Sequence, residues 1–293
     1  ATSADSAATA AFARSFGRLS LAIFAAALAV AIFAAIAGRG LHADGAHYLV
    51  VMLGAEGFNF PEPSRITAHF LVQAPTVLAM RLGLADLEGA RLIFCLGLEL
   101  APLVPLILCH AALPANRKHF FYFPLMHYLT GTMSAGASPI VESLVAVGYF
   151  WLLFYLILFA PLRRGMLIAT LLLAVPLAAL HESISLLGLF LAGAAVWRSR
   201  RERGGRAAAF RLLAVLCFGA ALAQMGFIVL PRSREQRDGV VEGFVYFYWI
   251  YGRTGGFNIP AILGLLALAL LSVLPSRDGR ADVFQNKRPL LDG

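Results

Sequence analysis

Nine apolar runs, separated by short polar turns, set the pattern of this chain. They are Leu19 to Ala37, Ile66 to Leu82, Arg91 to Leu113, Phe120 to Met133, Pro139 to Leu162, Met166 to Leu180, Ile184 to Trp197, Ala207 to Leu230 and Ile259 to Leu274. Several match the ~20 residues a helix needs to cross the hydrocarbon core of a bilayer. None shows the alternating segments of about ten residues that a transmembrane β-barrel requires. Helix signals sit at the boundaries: Ser64, Ser138 and Asn258 are placed as N-caps, and Pro139 and Pro260 open helices. The runs on either side of His181-Glu182-Ser183 are each shorter than a full span, so they read as half-length helices meeting at a polar turn. Between the first two runs, Tyr48 to Leu53 is apolar but too short to cross, which suits a helix lying in the membrane interface. The pattern predicts an all-α, polytopic transmembrane bundle of about 8-9 hydrophobic segments, with an interfacial helix in the first outer loop and one or two short or re-entrant helices.

Composition sharpens this picture. Of 293 residues, 60% are hydrophobic and only 14% charged, against roughly 25% charged in a soluble domain. Almost the whole length is consumed by apolar runs, which excludes a large catalytic domain outside the membrane. Three parts are expected: a disordered cytoplasmic N-terminus over residues 1–18, a transmembrane domain over 19–275 and a cytoplasmic tail over 276–293. Cys95, Cys109 and Cys217 lie inside apolar runs without CxxC spacing, so they read as buried, inert thiols rather than a disulfide framework or zinc site.

The charge is basic, with 24 Lys and Arg against 16 Asp and Glu. The excess falls in short loops, the mark of positive-inside topology, and no aromatic-interleaved basic stretch suggests nucleic acid. Arg163-Arg164, the cluster Arg198 to Arg206, and the tail with Arg277, Arg280, Lys287 and Arg288 are expected on the cytoplasmic side, together with Arg14 and Arg18. The His181 turn, the segment Ser134 to Glu142 and the loop Pro231 to Asn258 then face outward, in a bacterial inner membrane toward the periplasm. One conflict remains. Three full crossings from a cytoplasmic start deliver Arg117-Lys118 to the outside, so either the second or the fourth run is re-entrant, or this loop breaks the rule. The short, Pro-containing fourth run is the expected re-entrant one.

Ionisable side chains at membrane depth cost roughly 2.5 to 3.5 kcal/mol each on insertion scales, so each one asks for a reason. Asp44, just outside the first span, is placed either to cap the interfacial helix or to act as a general base at the membrane surface. Glu142 near the start of the fifth run complements the helix dipole or forms a second acid. His181 and Glu182, between broken helices, suit a substrate cavity or a simple hairpin turn. Arg232, Arg234, Arg237 and Arg253 carry guanidinium forks that match the oxygens of a lipid phosphate. The run Phe244 to Tyr251 fits an interfacial aromatic belt, or a platform for a sugar ring or prenyl chain. His42, Asp44 and His47 offer ligands for a divalent metal, although two solvated interfacial histidines are the favoured reading.

Three features resemble the GT-C class of membrane glycosyltransferases, which use polyprenyl-phosphate sugars. The first is an acid in the loop after the first span, within Ala43-Asp44-Gly45-Ala46-His47-Tyr48-Leu49. The second is Arg65 leading into a run with Gln73 and Pro75. The third is the string of short helices ending in basic turns, as in HESISLLGLFLAGAAVWRSRR. The resemblance covers roughly residues 15 to 230. It implies that the loop acid is the catalytic base, that the anomeric centre inverts by direct attack, and that the donor is a lipid-linked sugar. The chain departs from the class in lacking a doubled acidic pair at this position, extra spans and a soluble C-terminal domain.

Other classes compete. Membrane histidines His69, His110, His127 and His181 show no repeat suited to bis-histidine haem ligation. A small transporter calls for matched broken helices in two halves, and only one such pair is present. A non-catalytic subunit of a larger membrane assembly is supported by small-residue stretches such as Ala25 to Ala27 and Gly193 to Ala195.

Overall fold

Apolar runs rich in Leu, Ala and Phe, with few breakers, fold as helices throughout the described residues, and no strand occurs among them. The computed structural model describes residues 3–41, 44–84, 86–134, 141–160 and 163–230. Ten α-helices lie in this part of the chain: α1 Ser3–Ile36, α2 Asp44–Ala55, α3 Ile66–Arg81, α4 Leu87–Leu100, α5 Leu103–Ala112, α6 Tyr122–Ser134, α7 Val141–Phe159, α8 Arg164–Ala174, α9 Ile184–Ser199 and α10 Gly204–Val229. Short 3₁₀ turns cover Arg39–Leu41, Pro63–Arg65, Ala115–Phe121 and Val175–Ala179.

Three helices are long and apolar enough to cross a membrane: Ser15–Ile36 of α1, Glu142–Phe159 of α7, and α10. α4 and α5 form a fourth crossing if taken together, bent by 44° where they meet. Pro102 stands at that break. It has no N–H to continue the helical ladder, so the single run seen in the sequence is two helices. Among the described residues, three or four of the apolar segments are therefore candidate spans. The apolar runs at α2, α8 and α9 are shorter helices, and the ninth run lies outside the described residues. The expected interfacial helix is present as α2, and the half-length helices around His181 are α8 with its 3₁₀ extension and α9. The N-terminal segment expected to be disordered is instead helical from Ser3, because its alanines are the strongest helix formers.

α7 runs through the middle. One of its faces joins Phe94, Leu98, Leu177, Leu191 and Phe210 in one apolar core, and the other joins Phe24, Leu106, Phe121 and Leu125 in a second. Small residues let the backbones close in. A methyl group on Gly188 would sit 2.9 Å from the Cys217 carbonyl oxygen, and one on Gly148 would sit 2.8 Å from that of Pro102. Such contacts replace the hydrophobic driving force that lipid does not supply between helices. All three cysteines are buried and free.

The bundle has two chemically distinct ends. At one, Arg117 lies 5.5 Å over the Phe159 ring and Arg198 donates to the Leu158 carbonyl at 3.0 Å, so the 115–121 turn meets the ends of α7 and α9. The Phe16 ring of α1 meets that of Tyr122 at a tilt, 5.1 Å between centroids, at this same end. At the other end, Gln224 in the last turns of α10 donates to the carbonyls of Ser64 and Ala178 at 2.9 and 3.1 Å. α3 has 16 residues and α6 has 13, and neither the second nor the fourth run is among the candidate spans.

Two single-cysteine variants test the arrangement. Pro61→Cys and Arg200→Cys fall at exposed positions on the two ends. An impermeant maleimide applied to one face of sealed vesicles is expected to label only one of them. Labelling of both from the same face would contradict the two-ended bundle.

Candidate functional site

The Pro-rich return Phe60-Pro61-Glu62-Pro63 cannot continue a helix, so it folds as a tight 3₁₀ turn at Pro63–Arg65 that delivers Ser64 and Arg65 to the start of α3. Across from it, the turn between the Val175–Ala179 segment and α9 presents His181 and Glu182. Glu182 is the hub. The Ser64 hydroxyl donates to its Oε1 at 2.5 Å, and Arg65 Nε donates to Oε1 at 3.2 Å and Oε2 at 3.0 Å. Arg65 Nε also lies 3.0 Å from Oε2 of Glu62, three residues earlier. All of these Arg65 contacts use Nε, and the two Nη groups take part in none of them.

His181 completes this layer. Its Nδ1 accepts the Ser183 backbone N–H at 3.1 Å, which leaves the proton of the neutral ring on Nε2, 3.5 Å from Glu182 Oε2. On the adjoining side, Glu142 near the start of α7 has Oε1 3.9 Å from Nε2 of His69. That nitrogen is buried and has no hydrogen-bond partner among the described residues. The Tyr48 ring of α2 meets His69 edge-on at 5.1 Å, which places α2 against the cluster. Asp44 opens α2 one helical turn before Tyr48.

Electrostatics follow from this crowding. Burial opposes the positive charge of Arg65, but the fields of Glu182, Glu62 and Glu142 outweigh it and raise its pKa above the ordinary guanidinium value. Burial also opposes the Glu182 charge, yet the Ser64 bond, Arg65 and His181 hold that carboxyl below its usual range. Burial, reinforced by Arg65 and opposed by Glu182, holds His181 down at about 4. The site therefore gathers the Arg65 guanidinium, the carboxyl groups of Glu62, Glu142 and Glu182 and two imidazoles, His181 being neutral near pH 7.

The sequence-based candidates divide clearly. Arg65, Glu142, His181 and Glu182 converge at one end of the bundle, and the helix that Asp44 opens packs against them. The side chain of Asp44 and all of His42, Arg232, Arg234, Arg237 and Arg253 lie outside the described residues, as do Ser138, Asn258 and the Phe244 to Tyr251 run. Among the described residues no group of three or more metal-ligating side chains forms. Ser64 is not an N-cap: no side-chain cap forms at the start of α3, and its hydroxyl is committed to Glu182. Glu99 in α4 lies in the field of Arg39.

Ser64, Glu62, His69 and Gln224 belong to the site and were not singled out for it in the sequence. A signal existed for two of them. Glu62 and His69 stand at i−3 and i+4 from Arg65, the spacings that bring helical neighbours onto one face. No known protein family, curated protein or solved structure matches this chain.

Protonation links this site to stability. His181 and Glu182 both have folded values below their ordinary ones, so at acid pH the unfolded chain binds more protons than the folded one. Stability is full above pH 6.5, falls as pH drops from 6.5 toward about 4 through His181, and falls further below 4.5 through Glu182. Thermal unfolding of the detergent-purified protein is expected to show Tm declining across that interval, with His181→Asn removing only a share of the part between 6.5 and about 4, because burial holds His69 down at about 4 as well. A Tm that ignores pH there would rule out the buried neutral imidazole.

Proposed function

We propose that the chain is a membrane-embedded glycosyltransferase of GT-C type, transferring a sugar from a lipid-linked donor at the outer face of a bacterial inner membrane. The observation that carries this reading is the gathering of Arg65, Glu142, His69, His181 and Glu182 beneath α2, at the end of the bundle away from the Arg-rich turns. The unpartnered Nε2 of His69 beside Glu142 leaves a buried polar position that a substrate hydroxyl would satisfy. An excess of carboxylates over guanidiniums suits the hydroxyls of a sugar and its acceptor better than a phosphate.

In this reading Asp44 is the general base. As the acceptor oxygen bonds to the anomeric carbon, its proton passes to the Asp44 carboxylate. The bond from that carbon to the lipid phosphate breaks, and the phosphate departs with the electron pair. Direct attack inverts the anomeric centre. Glu182 and Ser64 are positioning residues: they fix Arg65 through Nε and leave its Nη groups for an oxygen of donor or acceptor. The outer arginines Arg232, Arg234, Arg237 and Arg253 are the partners proposed for the leaving phosphate.

A second reading is favoured by one feature. The Ser64–Glu182–Arg65 tie is satisfied internally, which is also what a purely structural clasp in a subunit of a larger membrane assembly requires.

Transfer from a radiolabelled polyprenyl-phosphate sugar, measured in proteoliposomes, separates the two. Asp44→Asn keeps the side-chain size, and the enzymatic reading expects a loss of transfer of about 10² to 10⁴ with Tm retained. Full activity in that variant removes Asp44 from catalysis, and no transfer by the wild type with any such donor leaves the subunit reading as the better account.

A further inference from the structure

The opposite end of the bundle holds an open cavity of about 860 Å³ with a different character. Its walls are Arg164 from the start of α8, Arg201, Arg203 and Arg206 from the turn into α10, with Leu167 and Glu202. The single carboxylate on this wall is already engaged, since Glu202 Oε1 pairs with Arg198 Nε at 3.1 Å. Among the described residues, Arg164, Arg203 and Arg206 have no carboxylate partner, and all three are exposed. Three guanidiniums without a carboxylate partner thus line one concavity, with a fourth, that of Arg201, beside them.

Two features define what would fill it. Guanidinium forks match the oxygens of a phosphate group, which accepts several charge-assisted hydrogen bonds at once. The starts of α8 and α10 both contribute to the cavity, and neither has a side-chain cap, so backbone N–H groups and the positive ends of two helix dipoles add to the same field. Arg201 sits 4.0 Å over the ring of Trp197, an aromatic type that anchors helix ends among lipid headgroups. Leu167 gives an apolar wall for the first part of an acyl chain.

We propose that this cavity is a binding site for a phosphate group, supplied by the headgroup of an anionic phospholipid. The site is independent of the sugar-transfer reading, because it shares no residue with the Arg65–Glu182 cluster. Bound there, one lipid would bridge the start of α8 to the turn between α9 and α10 and neutralise a strong local repulsion.

The test is retention of phosphatidylglycerol by the full-length protein in a neutral detergent, read by native mass spectrometry against phosphatidylcholine. Wild type is expected to prefer phosphatidylglycerol, and the pair Arg164→Gln with Arg206→Gln is expected to weaken that binding at least about tenfold. The pair Arg18→Gln with Arg81→Gln removes the same charge elsewhere and is expected to leave it unchanged. Should the groove pair not fold, Arg164→Lys with Arg206→Lys keeps the charge and removes only the forks, with a smaller loss expected. Displacement of the lipid by inorganic phosphate supports a site that takes the phosphate group alone, and resistance to displacement supports a contribution from the acyl chain. Equal loss in the Arg18 and Arg81 pair, or no loss in either groove pair, would overturn the proposal.

Discussion

The ion pair between Arg65 and Glu182 joins positions 117 residues apart in a setting where neither charge could stand alone. Both side chains are about three-quarters buried, and removing one member of a buried pair typically costs about 3 to 5 kcal/mol because the survivor is left uncompensated. The pair therefore dictates much around it. The Pro63–Arg65 turn must meet the start of α9, and the Ser64 hydroxyl is drawn to the carboxylate instead of capping its own helix. Gln224 of α10 holds the Ser64 and Ala178 carbonyls beneath the pair, so the last turns of the longest candidate span among the described residues are locked to the same place.

That clasp gives the bundle its polarity. α10 has 26 residues, a length of about 39 Å, and one of its ends lies in the carboxylate-rich cluster while the other starts among arginines. α7 repeats the pattern, with Glu142 near its start and the Arg198 contact at its end. Glu62, Glu142, Glu182, His69 and His181 are collected at one end, and the guanidiniums of Arg164, Arg203 and Arg206 at the other. The two ends are thus equipped for different ligands: hydroxyl-rich molecules at the first, phosphate groups at the second.

The helical class was plain in the sequence, because apolar runs of this length have few other solutions in a bilayer. The positions of α2, α7 and α10 were legible for the same reason. The span count was not. The runs at α8 and α9 were already too short for full spans, but hydropathy alone treats the run at α3 as a crossing, whereas its 16-residue helix is not among the candidate spans. Pro102 was visible, but whether a proline bends a helix or ends it depends on the packing around it. In the site, Arg65, Glu142, His181 and Glu182 could each be suspected singly as charges near apolar runs. Their meeting could not be read, since it depends on pairing the start of α3 with the start of α9, and no local spacing encodes that contact. Ser64 shows the difficulty most clearly: a good cap by sequence, it is taken by a stronger acceptor far along the chain.

The central claim is that Arg65 and Glu182 form one coupled unit on which the outer cluster is built, and a double-mutant cycle measures this directly. Arg65→Gln, Glu182→Gln and the double variant would be compared with wild type by chemical unfolding in detergent. The account predicts that Arg65→Gln costs more than Glu182→Gln, since Arg65 keeps Glu62 when Glu182 is neutralised. It also predicts that the double variant is more stable than the sum of the single losses implies, by about 1 to 3 kcal/mol. Additive losses, with no coupling between the two positions, would contradict it.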